Sequence, residues 1–169
     1  MSNSGEVMEL ARQLLDICRK RNIMIATAES CTGGLLAAAL TELPGSSDVF
    51  ERGFVTYSND AKIELLGIFP ITLKQHGAVS EETAMEMAHC ALVRSEAGLA
   101  VGITGIAGPG GGTADKPVGL VHIVAKRYDG HTLHRELQLG DIGRSAVRME
   151  SVKNALEMLL KLATAPAEH

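Results

Sequence analysis

Tryptophan is absent from this 169-residue chain, and aromatic residues make up only 3% of it. The core must therefore be built from Leu, Ile, Val, Ala and Met, with glycine bringing elements close together, which suits a layered α/β fold. Cysteine is scarce as well. Cys18, Cys31 and Cys90 are odd in number and show no C-x-x-C spacing, so they indicate neither a disulfide framework nor a zinc site and fit a reducing cytoplasm. An excess of basic charge is missing: the net charge is -4, which argues against a sequence-independent grip on nucleic acid. Arg19-Lys20-Arg21 reads instead as a helix C-terminus that complements the dipole. There is no signal peptide and no apolar run long enough to span a bilayer, so no membrane partner is expected. His76, His89 and His122 are scattered without an H-E-x-x-H pattern, and neither a metal nor a cofactor is implied.

What is present is apolar: 46% of the residues are hydrophobic, enough for one well-buried core, and a single domain over residues 1–169 is expected. Val7, Leu10, Ala11, Leu14, Leu15 and Cys18 recur at helical spacing from Glu6 to Lys20. Ile23 to Ala28 reads as a strand covered on both faces, followed by a helix from Thr32 to about Glu42 and a turn at Pro44-Gly45-Ser46-Ser47. Phe54 to Tyr57 is a second strand, closing a β-α-β unit and predicting parallel pairing. A short helical pattern covers Ala61 to Leu66, and Ile71 to Gly77 is irregular. Ser80-Glu81-Glu82 opens a helix with Ala84, Met87, Ala88, Ala91 and Leu92 as its buried stripe, and Gly98 stops it. Leu99 to Ile103 is a third strand. Asp129-Gly130 joins Val118–Lys126 to His131–Leu139 as a hairpin, so one late strand runs antiparallel to its partner. His131 and His134, three apart, fall on opposite faces of that hairpin. A last helix runs from about Asp141 to Ala163.

Three strand ends carry polar turns, and parallel neighbours would open all three on one edge of the sheet, where α/β proteins bind ligands. The first is Glu29-Ser30-Cys31-Thr32-Gly33-Gly34. It offers three nucleophilic or hydrogen-bonding side chains at a helix N-terminus, with glycines that allow close approach; a helix cap made by Ser30 or Thr32 is the plainer reading. The second runs from Tyr57 to Lys62. On an α-helical wheel Lys62 falls between Leu65 and Leu66, so it either snorkels, pairs with an acid, or projects into a site as a desolvated base. The third is Thr104 with the glycine-rich loop Gly105 to Thr113, which includes Gly108 and can present N–H groups to a phosphate but lacks a Walker ending. Arg144, in the first turn of the last helix, opposes the dipole; it is either solvated or the partner of a bound anion. Hydroxyl, lysine and backbone donors are together the parts of a Ser-Lys hydrolase.

The motifs Thr27-Ala28-Glu29-Ser30-Cys31-Thr32-Gly33-Gly34, Phe54-Val55-Thr56-Tyr57-Ser58-Asn59 with Lys62, His76-Gly77-Ala78-Val79-Ser80, Gly105-Ile106-Ala107-Gly108-Pro109 and Lys116-Pro117-Val118-Gly119 closely resemble the CinA C-terminal domain family. The resemblance runs in order from about residue 6 to 162. It implies a three-layer α/β/α fold around a mixed, mostly parallel sheet of about five strands. It also implies deamidation of nicotinamide mononucleotide (NMN) to nicotinate mononucleotide and ammonia, in pyridine nucleotide salvage. Larger family members carry a further N-terminal domain, and this chain resembles the stand-alone form. By resemblance Ser30 is the nucleophile and Lys62 its base, with Tyr57, Thr104 and Arg144 in support. Cys31, Thr32, Gly33, Gly105 and Gly108 are expected to line the substrate, and Arg144 with the glycine loop to meet the phosphate. A thiol nucleophile at Cys31 and a non-catalytic nucleotide-binding module are the rival readings. A homo-oligomer, as a dimer, is the expected assembly.

Overall fold

The structure, a computed structural model, describes residues 3–167; the first two and last two positions of the expected domain lie outside the described residues. Helix α1 (Asn3–Arg21) ends as its basic last turn predicts. Asn22 follows in the left-handed region at φ 54°, and the Ile23 N–H reaches back to the Cys18 carbonyl at 2.9 Å, closing the helix with a Schellman-type bond. Strand β1 (Ile25–Glu29) then leads through the Ser30 turn into α2 (Leu35–Thr41), shorter than the sequence pattern suggests. Strand β2 (Phe50–Val55) lies four residues earlier than expected and leaves Tyr57 beyond its end. It is an edge strand, so Glu51 and Arg52 can sit within it, and hydrophobic content alone misplaces it.

A short helix α3 (Asn59–Ala61), capped by the Ser58 hydroxyl, runs straight into a π-helical turn over Lys62–Leu66. The segment expected to be irregular is a helix, α4 (Pro70–His76), opened by Pro70 in its first turn; with Thr72, Lys74, Gln75 and His76 it has no apolar stripe for a sequence reading to find. Helix α5 (Glu81–Val93) begins as predicted, with Ser80 Oγ accepting from the Thr83 N–H. It ends before Gly98, which instead sits at the start of β3 (Leu99–Gly105). The hairpin forms as expected from β4 (Leu120–Arg127) and β5 (Thr132–Gln138), and α6 (Arg144–Thr164) closes the domain.

The strands form one mixed sheet in the order β2-β1-β3-β4-β5. β2, β1 and β3 pair in parallel, whereas β4 is antiparallel to both of its neighbours, so β4 alone runs against the others. Alternation along the central strands divides their side chains between two layers. Ile25 on β1 and Leu99, Val101 and Ile103 on β3 face the packed side chains of α1 and α6. Ala26, Ala28 and Ala100 face Met87 and Ala91 of α5 and Leu66 and Ile68 from the π-turn region. The second layer is built from small residues, which lets α5 lie almost on the sheet. A Cβ added at Gly102 would lie 2.5 Å from the Ala84 carbonyl oxygen and 2.9 Å from the Ala88 nitrogen, so both obstacles are helix backbone.

Because neither backbone can move aside cheaply, Gly102→Ala should destabilise the domain by about 1–3 kcal/mol, the range for overpacking a tight core. Urea unfolding should show a lower midpoint; an unchanged midpoint would mean that α5 is free to shift outward.

Candidate active site

The carboxyl ends of β2, β1 and β3 open on the same edge of the sheet, as parallel neighbours must, and the three polar turns meet there. Lys62 crosses between two of them. Its Nζ lies 2.9 Å from Ser30 Oγ and 2.8 Å from the Thr56 carbonyl, with the Tyr57 carbonyl at 3.5 Å. Lys62 is only 1% exposed and Ser30 8%. Among the described residues no carboxylate forms an ion pair with Lys62.

The π-turn explains how an amine reaches so far inward. The expected wheel placed Lys62 between Leu65 and Leu66, but the wider turn brings Leu66 beneath Lys62 and swings Leu65 out: Leu66 is fully buried, Leu65 49% exposed. Of the readings left open for Lys62, snorkelling and pairing with an acid are thus corrected: the amine is turned inward and lies against Ser30. Burial pushes the amine down to about 8, well below the usual lysine range, and only the neighbouring Cys31 works the other way.

Ser30 is held by backbone on both sides. Its N–H donates to the Ile103 carbonyl at 2.9 Å, and its carbonyl accepts from the Gly33 N–H at 3.0 Å, closing a tight turn over residues 30–33. Gly33 and Gly34 follow at φ 57° and 99°, left-handed values that suit glycine and turn the chain into α2. The cap of α2 is a correction to the expected one. Neither Ser30 nor Thr32 supplies it; the fully buried Glu29 carboxylate does, accepting from the N–H groups of Leu36 at 2.9 Å and Ala37 at 3.1 Å. A carboxylate at a helix N-terminus is the favourable sign for the dipole, and this one sits on the residue before Ser30. Sequence reasoning missed it because a glutamate inside an apolar strand looks like a turn residue rather than a buried anchor.

Cys31 is buried beside Ser30, and burial pushes its thiol up to about 11. Thr32 is fully buried and its Oγ1 has no partner among the described residues. Arg148, which the sequence pattern did not single out, reaches this turn from α6 and donates to the carbonyls of Cys31 and Thr32. Its position four residues after Arg144, on the same face of the helix, was the available signal.

The remaining candidates lie around the opening. Arg144 donates to the Gly108 carbonyl at 2.8 Å and to the Tyr57 hydroxyl at 2.7 Å, joining the glycine loop to the end of β2. The Tyr57 ring is exposed, and it is the Tyr57 carbonyl rather than the phenol that approaches Lys62. Thr104 is buried with its hydroxyl donating to the Ala78 carbonyl. Gly105 and Gly108 have packing reasons: added Cβ atoms would lie 2.8 Å from Val121 and 2.6 Å from Val118. Beside Thr104, its register partner on β3, His122 of β4 meets His134 across the hairpin with ring nitrogens 3.0 Å apart. Among the described residues no group of three His, Cys, Asp or Glu side chains has metal-binding geometry, and no helix is long and apolar enough to cross a membrane.

The chain is thus a three-layer α/β domain that holds a buried lysine against a serine at the carboxyl edge of its sheet. The chain belongs to the CinA C-terminal domain family, which it matches over residues 7–163. It is 48% identical to a nicotinamide-nucleotide amidohydrolase PncC of Escherichia coli strain K12, over 92% of this chain and 93% of that protein. A CinA-like protein of Chloroherpeton thalassium is 57% identical over 69% of this chain, which spans only 28% of that protein's length. Among solved structures, competence/damage inducible protein CihA from Agrobacterium tumefaciens superposes with a TM-score of 0.92 at 56% identity, covering 93% of this chain and 95% of that one.

The lysine's burial has a consequence for stability. With a folded value near 8 and an ordinary unfolded one near 10.4, the unfolded chain holds a proton between those limits that the folded chain does not. Stability contributed at this site is therefore lowest below about 8 and rises with pH toward 10. Lys62→Met should be more stable than the parent at pH 7, with the difference shrinking by pH 10. Paired urea titrations at the two pH values check this, and a difference that is constant with pH would rule out a depressed lysine.

Proposed function

We propose that this protein hydrolyses the carboxamide of nicotinamide mononucleotide, yielding nicotinate mononucleotide and ammonia in pyridine nucleotide salvage, through an acyl-enzyme on Ser30. The observation that carries the reading is the 2.9 Å approach of a buried, pKa-depressed Lys62 amine to Ser30 Oγ. The name borne by the Escherichia coli relative supports the substrate.

In its neutral form Lys62 donates to the Thr56 carbonyl and keeps a lone pair for the Ser30 proton. As the proton passes to Nζ, Oγ bonds to the amide carbon and the carbonyl electrons move to oxygen. Backbone N–H groups of the turn after Ser30 stabilise that oxyanion. Collapse of the adduct breaks the C–N bond, and the Lys62 ammonium returns its proton to the departing nitrogen, which leaves as ammonia. Water, deprotonated by the same amine, then bonds to the acyl carbon; the C–Oγ bond breaks, the Lys62 ammonium returns the proton to Ser30 Oγ, and the acid is released. The unpartnered Thr32 hydroxyl is available to the substrate's polar groups. Arg144, exposed at the first position of α6, is assigned to the phosphate, with the Tyr57 hydroxyl and the glycine loop held beside it. Thr104, Gly105 and Gly108 shape the far wall.

A thiol route through Cys31 is disfavoured by the same geometry. Its thiol is held neutral by burial at physiological pH, whereas Lys62 is on the serine.

Ammonia release from NMN should be abolished in Ser30→Ala and Lys62→Ala and retained in Cys31→Ala, and the parent's kcat/KM should climb with pH and level off above about 8. Activity that survives in Ser30→Ala but vanishes in Cys31→Ala would reverse the assignment. Binding of NMN with no turnover by the parent would favour a binding module. Arg144→Ala should raise KM for NMN by roughly 10- to 100-fold, the scale of a lost charge-assisted hydrogen bond, while leaving KM for the phosphate-free riboside nearly unchanged. Equal effects on both substrates would remove Arg144 from the phosphate.

A further inference from the structure

Arg148 has no part in the chemistry just described, yet it grips the nucleophile turn. It is half-buried on α6, with Nε donating to the Cys31 carbonyl at 3.2 Å and Nη2 to the Thr32 carbonyl at 3.0 Å. These carbonyls belong to two successive peptides of the turn. In a trans peptide the C=O and the N–H that follows it point in opposite directions. By holding the Cys31 carbonyl, Arg148 therefore aims the Thr32 N–H away from itself.

The turn's donors can be sorted. The Ser30 N–H is spent on Ile103, and the Gly33 N–H on Ser30 itself. Among the described residues the N–H groups of Cys31, Thr32 and Gly34 enter no backbone hydrogen bond, and of these it is the Thr32 N–H that belongs to the peptide whose carbonyl Arg148 holds. Its direction depends on the orientation of the central peptide, which in a type II turn would be flipped, with a positive φ at Thr32. Among the described residues Asn22 is the only non-glycine with positive φ, so the flipped form is not the one present. A guanidinium on the carbonyl also polarises the peptide and makes its N–H a stronger donor.

We propose that Arg148 is a positioning residue that fixes the Cys31–Thr32 peptide so that the Thr32 N–H stabilises the oxyanion formed on attack by Ser30. This rests on the reading of Ser30 as nucleophile. The second contact, to the Thr32 carbonyl, holds the next peptide, whose N–H closes the turn on Ser30. Arg148 thus acts on the transition state through the backbone and touches no substrate atom.

The test compares the parent with Arg148→Ala, Arg148→Lys and Ser30→Ala in NMN turnover, with thermal melting of each. Arg148→Ala should lose about 10- to 100-fold in kcat, less than the ~10²–10³-fold typical for deleting an oxyanion donor itself, with KM changed less than about threefold, because the lost interaction acts only in the transition state. Arg148→Lys keeps the charge but not the planar fork, and should fall between the two. Added guanidinium at sub-denaturing concentration should restore part of the Arg148→Ala rate and none of the Ser30→Ala rate, a rescue that a folding role would not give. If Arg148→Ala melts below the assay temperature, the comparison of kcat in Arg148→Lys decides. A kcat within twofold of the parent in Arg148→Lys and in folded Arg148→Ala, with Ser30→Ala inactive, overturns the proposal. Turnover that persists in Ser30→Ala instead overturns the nucleophile reading beneath it.

Discussion

Burying the Lys62 amine against Ser30 withdraws it from water without an ion pair to any carboxylate among the described residues, and the neighbouring structure answers to that constraint. The charged form is the one that burial penalises, so the amine gives up its proton more readily than an ordinary lysine, near pH 8. The carbonyls of Thr56 and Tyr57 satisfy its donors without adding a full negative charge. A carboxylate there would have stabilised the ammonium and made the lysine a weak base. The π-turn from Lys62 to Leu66 serves the same end, since it lets the amine and Leu66 occupy one buried face.

The serine side of the contact depends on the sheet. Parallel pairing of β2, β1 and β3 brings the ends of three strands to one edge, and the Ser30 N–H is tied across to β3 at Ile103. Glu29 then fastens the start of α2 to the end of β1 from within, so the turn between them is short and fixed at both ends. From outside, Arg148 of α6 holds two of its carbonyls. In the proposed role of nucleophile, Ser30 would lose little entropy on reaction, because its backbone is already set. The small residues under α5 bring that helix down on the sheet, and the Thr104–Ala78 bond secures the loop that precedes it.

Much of this was legible in the sequence. The period of 3.6 in α1 and α5 and the Asp129-Gly130 hairpin located most of the elements around them, since each rests on local chemistry. The three polar strand ends and the misplaced lysine pointed to the edge where the site lies. What the sequence hid was tertiary. β2 is an edge strand whose polar residues blur its start, and α4 has no apolar stripe. The helix wheel assumed α geometry where a π-turn shifts the phase by the fourth residue. Glu29 as a buried cap, and Arg148 as a brace on residues more than a hundred positions earlier, follow from packing that no local pattern records. The glycines at 105 and 108, expected for ligand approach, are also required by contacts with Val121 and Val118.

The central claim is that burial against Ser30 lowers the pKa of the Lys62 amine to about 8. Its most direct test is a titration of the lysine side chains by NMR, with the Lys62 signal assigned by its loss in a Lys62→Met variant. The account predicts a midpoint near 8 for that signal. A midpoint near the ordinary lysine value of about 10.4 would contradict it, and would leave Ser30 without a base.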